Sequence, residues 1–463
     1  MFSVILLGAD LTPHARLLDL APQTWYTALN TPMRAVCPPN GFGGKDYDFY
    51  DSCRNIIDAW SGGAYDTKRN RLIIWGGGHN DYYGNEIYVF DINRMQWQRL
   101  TDPDLDFIVY GPCRDMHASG RPVGRHTYDG LVYIEHADRF FAHGGSMACG
   151  PGSGSKLTWT FDFNTNTWYN MQPAGDIPDG NVGMTSAYDP ATGLVYIHDT
   201  YRLFTYDFTA NRYRQLTDRD YRPYDLVSTI DSKRRWLFMM GVNQFWYYNI
   251  GQSDYVRREF VTTGDTEIIK ADAPGFKYDP VADCIVAWSG GKVYTLNLDT
   301  RVWTSINVAN RPPGVPSSGN MFGRWQYIPF YNIFIAVTHV DSDVYFYKNT
   351  AGHGTNVAAP GGTAVPGQPC LSIDPNPVKS GSVLRINVSN VAQSTADIRL
   401  HIFNLGGQLI KECRVPAAPL QNGTASWIWD SRDEQGQPVA SGIYLIVFST
   451  DQIHFSQRVT VCK

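Results

Sequence analysis

A single phrase recurs along the first three-quarters of this 463-residue chain: an aromatic-Asp turn, an apolar strand, a small-residue turn, an aromatic strand ending near Asp, then Trp. It reads AYDTKRNRLIIWGGGHNDYYGNEIYVFDINRMQW from Ala64 to Trp97. Such a period outranks any isolated motif as a fold signal, because each copy is one unit that cannot bury its apolar face alone and must stack on the next. Further copies run from His126 to Met171, from Ser186 to Leu216, from Ser228, from Lys277 to Trp303 and from Gly323. Each holds alternating runs of Val, Ile, Tyr, Phe and Trp broken by Asp, Asn and Gly, so each predicts a small antiparallel sheet. The last copy stops at VYFY without the Trp-bearing strand that ends the others. PQTWYTAL around Trp25 has the form to supply it, which would join the two ends of the repeat and leave no open sheet edge.

Gly-Gly, then Tyr or Phe near Asp, then Trp, resembles the kelch repeat, and the resemblance covers about Trp25 to Asn349. It implies an all-β fold: a kelch-type β-propeller like that of galactose oxidase, over residues 21–350, after an N-terminal segment at 1–20. About 330 residues over six units is about 55 each, near the ~50 of a four-stranded blade. We read six blades; seven is the alternative, with an eroded copy at Asp102–Gly124 or Val261–Pro274. The same scaffold serves enzymes, adhesins and interaction modules, so function has to come from the site.

Only 18% of residues are charged and the net charge is −5, which argues against nucleic acid or an anionic membrane as partner. No stretch approaches the roughly 18 apolar residues of a membrane span. The opening FSVILLGA has the apolar character of a signal-sequence remnant but no basic lead. Eight cysteines fit an oxidising compartment, with Cys37–Cys53 and Cys113–Cys149 as natural bridges. Buried free thiols are one alternative, and a zinc site from Cys113, His117 and Cys149 is another. No cofactor is predicted, and a structural zinc or calcium ion is left open.

From Ala351 to Pro369 the chain turns rich in Gly, Pro, Ala and Thr, as a linker does. Beyond it, LRINV, DIRLHIFN, ASWIWD, GIYLIVFS and FSQRVTV alternate as sandwich strands over 370–463. DPNP at Asp374–Pro377, IFNLGGQLI at Ile402–Ile410 and WDSRDEQGQPVASGIYLI at Trp429–Ile446 resemble FlgD-like immunoglobulin modules and, more loosely, the sorting domains of Bacteroidetes-type secretion. The resemblance implies an exported or surface-displayed bacterial protein, with a secretion or cell-surface partner for the tail. Cys370 and Cys462 sit where they could staple the module's ends, leaving Cys413 free.

Propellers bind ligands where loops converge at the mouth of the central channel. Aligning second strands puts Trp75, His143, His198, Met240, Trp288 and Val337 or Thr338 at one level; aligning first strands puts His126 beside Gly63, Ser186, Ser228 and Phe276. The unmatched polar residues gather on one sector: His126, His143, His198, Tyr201 and Arg202, with His79 and Asn80 from the loop GGGHNDYYGN. An imidazole base, a tyrosine acid and an arginine clamp for a carboxylate suit β-elimination on a uronate-containing polysaccharide.

The set is similar to that of propeller-type ulvan lyases. That resemblance implies catalytic roles for His126, His143 and Arg202, with Tyr201 preferred as acid over Tyr188, whose slot is shared by Tyr65, Tyr128 and Tyr278. Substrate contacts fall to His79, Asn80, Tyr82, His198 and Tyr188. Tyr82 and Tyr83 could stack on sugars or pack in turns, and Asp66, Asp129, Asp189 and Asp279 read as turn residues. Copper-radical oxidation is disfavoured, since no Tyr-His dipeptide occurs and His339 alone stands in the late repeats. The alternative is a non-catalytic adhesin or glycan-binding surface protein.

Overall fold

The computed structural model describes residues 16–17, 20–252, 254–312, 320–351, 370–374, 378–389, 398–404, 409–415, 425–449 and 454–462. The signal-like opening, most of the Gly/Pro-rich segment, and Pro375 to Pro377 of DPNP lie outside them. Two compact units divide the chain, Met1–Thr355 and Asn356–Lys463.

The first unit is mostly β. Its first sheet takes Gly63–Asp66, Arg71–Ile74, Tyr88–Asp91 and Gln96–Arg99 in simple order. The second takes Leu131–Ile134, Arg139–His143, Thr158–Asp162 and Thr167–Asn170. The third, fourth and fifth begin at Thr185–Asp189, Val227–Asp231 and Gly275–Asp279 and continue in the same up-and-down order. The sixth pairs Trp325–Ile328, Ile333–Ala336 and Val344–Lys348 with Thr24–Ala28 from the start of the chain, Trp25 opposite Tyr347. First strands of successive sheets touch one another all the way round, the sixth returning to the first. This is a β-propeller closed by its N-terminal strand, so no blade edge at the junction is left unpaired. Neither segment suggested for a further copy forms a sheet of its own: 263–264 adds a parallel strand to the fifth sheet, and 102–124 is loop with one bridge.

The recurrent aromatic-Asp phrase is a turn device. Tyr65 donates to Asn70, Tyr133 to Asp138, Tyr278 to Asp283 and Tyr327 to Asn332, each at 2.7–2.9 Å and each to a residue held at positive φ. Asn and Asp tolerate that left-handed region better than other side chains. Asp66, Asp189, Asp231 and Asp279 accept backbone N–H groups two or three residues on, as turn residues should. Asp129 departs from the expectation. Blade two is shifted in register, so its first strand is Leu131–Ile134, and the Asp129 carboxylate instead accepts the N–H and hydroxyl of Ser228, at 2.8 and 2.9 Å, from the non-adjacent fourth sheet. Lys277 of the fifth sheet donates to the Ser228 carbonyl at 3.3 Å, so a polar network crosses the middle of the ring.

Apolar side chains fill the gaps between sheets. Trp75 and Val89 of the first meet Phe140, Trp159 and Trp168 of the second, with the Trp75 and Trp168 rings 4.9 Å apart. Two disulfides, Cys37–Cys53 and Cys113–Cys149, staple the loops, as in proteins that mature in an oxidising, extracytoplasmic compartment. The zinc alternative is thereby displaced, since both its cysteines are bonded to each other and His117 Nδ1 is hydrogen-bonded to Asp106.

The second unit packs a sheet of Cys370–Asp374, Leu384–Ser389 and Ala425–Trp429 against one of Val378–Lys379, Ile398–Asn404, Leu409–Val415, Gly442–Ser449 and His454–Cys462. Leu384, Ile386 and Trp429 meet Leu400, Ile446 and Val459 between them, which makes a β-sandwich. Cys462 is exposed and unbonded, so the expected staple to Cys370 is absent; a cysteine at a solvent-facing strand end closes nothing by itself. The Cys370 and Cys413 side chains lie outside the described set.

Candidate functional site

The loop GGGHNDYYG, between the second and third strands of the first sheet, is pressed against a short ribbon in which Arg125–His126 pairs with Ser146–Met147. Gly78 makes that approach possible: at φ +94°, a Cβ there would stand 2.2 Å from the His126 nitrogen. The Gly78 N–H donates to the Tyr82 carbonyl at 2.8 Å and the His79 N–H to Met147 at 2.9 Å, tying the loop to itself and to the ribbon. Asn55 donates to the Asp81 carbonyl at 2.7 Å. Held in this way, the Asp81 carboxylate sits 2.8 Å from His126 Nε2.

An imidazole that donates Nε2–H to a carboxylate keeps Nδ1 as an acceptor, and the pair is oriented as a base is oriented by its third group. Around His126 lie the rings of Trp60 at 5.3 Å, His79 at 6.1 Å and Tyr128 at 6.3 Å. Trp60, at positive φ and 39% exposed, offers an aromatic face to solvent, while its carbonyl accepts the Tyr128 N–H at 2.7 Å. Burial holds the Tyr128 hydroxyl well above its usual range, with Asp225, Tyr224 and Asp81 adding to the effect. Burial also raises the Asp225 carboxyl, helped by Asp272 and opposed by Arg222. The mouth therefore exposes the Trp60 indole and part of the Asp81 carboxylate, with the oriented His126 imidazole and the Tyr128 phenol buried behind them.

No free cation joins them among the described contacts. Arg125 is buried and donates to the carbonyls of Val123 and Gly144; Arg222 is buried and donates to those of Gly183, His198 and Pro223.

The sequence-derived residues divide into separate places. His79 and His126 come together at the mouth. Asn80 lies in the same loop and accepts the Tyr83 hydroxyl at 3.2 Å. His143 does not join them. It shares the predicted level with Trp75, His198, Met240, Trp288 and Val337, but all six are buried, because side chains at the end of the second strand face the neighbouring sheet instead of the pore. His143 Nδ1 is 2.9 Å from the Thr158 hydroxyl, which in turn meets the Tyr213 hydroxyl at 2.9 Å, and burial pulls its pKa down to about 3. His198 is fully buried, 3.5 Å from Asp220, and held down to about 4 by burial.

Arg202 is engaged by Asp199 at 3.1 Å and by Asp179, so it is not a free carboxylate clamp. Tyr201 is 52% exposed and lies 5.6 Å from the Tyr221 ring, away from His126. Tyr188 is at the opposite end of its strand, 3.1 Å from His136 Nδ1. Tyr82 is wholly buried with its hydroxyl on Glu86, so no sugar face reaches it. Sequence reasoning missed Asp81 and Trp60. Asp81 lies inside the loop GGGHNDYYGN already singled out, two residues after His79, and Trp60 stands just before the first copy.

No family model matches the chain. Among solved structures it is similar to PorZ, described as an essential bacterial surface component of the type-IX secretion system of Porphyromonas gingivalis, at 12% identity and TM-score 0.40, over 87% of this chain and 51% of that one. The extracellular domain of the one-component system BT4673 from B. thetaiotaomicron matches at 10% identity and TM-score 0.36, over 86% of this chain and 56% of that one. FlgD from P. aeruginosa matches at 16% identity and TM-score 0.16, over 18% of this chain and 63% of that one. The chain thus spans about half the length of the first two. With TM-scores of this size, the fold assignment rests on the sheet topology itself.

Proposed function

We propose that this chain is an extracytoplasmic bacterial surface protein that binds a glycan at the mouth of a six-bladed, kelch-type propeller. An immunoglobulin-like, FlgD-type tail would link it to a secretion or cell-surface partner. The observation that carries the proposal is the exposed Trp60 indole beside His126, which Asp81 orients. A flat aromatic face with polar groups at its edge is what a sugar ring stacks on and hydrogen-bonds to. A glycan array with the full chain tests it, Trp60→Ala abolishing the signal if the mouth is the site.

β-Elimination of a uronate polysaccharide stands second, favoured by the His126–Asp81 pair, which resembles an oriented base, with the Tyr128 ring 6.3 Å from His126 as the nearest phenol. The intended clamp, Arg202, is neutralised, and the mouth carries carboxylates where a uronate would need a cation. Incubation with ulvan, alginate, pectin and glycosaminoglycans, followed by the absorbance of unsaturated uronate, separates the two: a lyase produces it and loses it on His126→Ala, whereas a binder never produces it.

A further inference from the structure

Beside the mouth is a polar cavity of about 430 Å³ that no sequence motif marked. One wall comes from the helical turns Phe49–Ser52 and Asn55–Asp58, and the other from the loop after Ile333–Ala336 of the sixth sheet. The Cys37–Cys53 disulfide ties the first wall to the turn Met33–Val36 that carries Arg34. Arg34 closes one side as a fork on Asp341, at 2.7 and 2.9 Å, and so bridges the two walls. His339 accepts the Asp341 N–H at Nδ1, 3.1 Å away, which turns its Nε2 into a donor facing the Asp58 carboxylate at 3.6 Å. Arg54 and Asp48 make no ion pair among the described residues, although both line the cavity. Asn55 lines it too and holds the Asp81 carbonyl, so this cavity and the His126 mouth share a wall.

The volume lies within the about 300–1,000 Å³ of small-molecule sites, yet the named lining is almost entirely charged and amide groups where such sites are mostly apolar. Donors and acceptors in that mixture suit a molecule made of hydroxyl groups, each of which both gives and takes a hydrogen bond. Two guanidiniums, Arg34 and Arg54, face three carboxylates, Asp48, Asp51 and Asp341, so the lining is slightly negative and selects against an acidic sugar.

The geometry points to this cavity as a second saccharide subsite, taking a neutral sugar whose hydroxyls are accepted by Asp48 and contacted by Arg54 and His339. It rests on the glycan proposal for the mouth and extends the ligand from His126 across Asn55.

The test is calorimetric titration of the full chain with neutral oligosaccharides (gluco-, manno-, xylo- and chito-series) and with oligouronates as the acidic arm. It is repeated for Arg54→Ala, Asp48→Ala and Trp60→Ala, with thermal melts to confirm folding. The expected result is a neutral oligosaccharide whose affinity falls about tenfold in Arg54→Ala and in Asp48→Ala, with unchanged melting. Unaltered affinity in both, alongside a loss in Trp60→Ala, overturns the subsite and leaves the mouth standing. Preference for oligouronates overturns the neutral class. Absence of binding to every saccharide overturns the subsite together with the proposal it rests on.

Discussion

His126 and Asp81, 45 positions apart in sequence and carried by a short strand and a loop, meet at 2.8 Å, Nε2 to carboxylate. Asp81 is the partly exposed member and His126 the buried one. The carboxylate therefore fixes the tautomer and orientation of the His126 ring behind Trp60. Asp81→Ala should weaken glycan binding about tenfold, the scale of one hydrogen bond to a charged group, with little change in melting temperature. Calorimetry and a thermal melt on the same variant check both halves.

Acid should unfold the propeller through its buried imidazoles. His143 and His198 are held near 3 and 4 in the fold, against roughly 6.5 in the unfolded chain. The unfolded state takes the proton first, so the stability each contributes is complete above about pH 6.5 and is lost as pH falls toward the folded value. The slope approaches about 1.4 kcal/mol per pH unit for each. Asp129 works the other way, since burial raises it to about 6 and its contribution grows as pH falls below that value. Burial raises Asp225, Glu86 and Glu135 in the same sense as Asp129 and lowers His117 and His136 in the same sense as the two imidazoles, so the share of His143 and His198 is read by comparing the native chain with their variants. Urea midpoints at pH 7 and pH 5 should separate in the native chain and draw together in His143→Gln and His198→Gln.

Arg222 ties the third blade to the strand that follows it, donating to Gly183 at 2.7 Å and to His198 and Pro223 at 2.9 Å. Burial lowers its pKa to about 10, still charged at neutrality. Arg222→Met leaves three carbonyls without this donor and should cost about 3 kcal/mol or more in denaturant melts. Arg222→Lys should recover only part, because one ammonium cannot span a fork.

Alkylation of the native chain should mark Cys462 and spare Cys284, whose thiol burial pushes up to about 12. Peptide mapping without reduction should find Cys37 linked to Cys53 and Cys113 to Cys149. The Cys37–Cys53 loop spans 16 positions, so Cys37→Ser with Cys53→Ser should cost about 3 kcal/mol by the loop-entropy model.

The repeat made the architecture legible because its Tyr and Asp residues do a local job: they build the turn between the first two strands, and the turn fixes each sheet's register. Closure by Trp25 was legible for the same reason, as a missing strand with a matching one elsewhere. Level and facing are different quantities, however. His143 and His198 do share a ring, but a side chain's direction at a strand end depends on the pleat and on the neighbouring sheet, which a period alone does not report. His126 reached the mouth by another route, through the inserted ribbon Arg125–His126 that breaks the repeat in blade two. Its partner Asp81 sits in a loop whose path depends on Gly78, a contact 48 residues away in sequence from His126 that no local pattern encodes.

Hydrogen–deuterium exchange of the full chain, with and without the strongest-binding oligosaccharide from the array, tests the central claim most directly. Binding at the mouth predicts new protection in the segments around Trp60, His79–Asp81 and His126–Tyr128. Protection confined to the outer strands of the blades or to the sandwich unit, with those three segments unchanged, would contradict it.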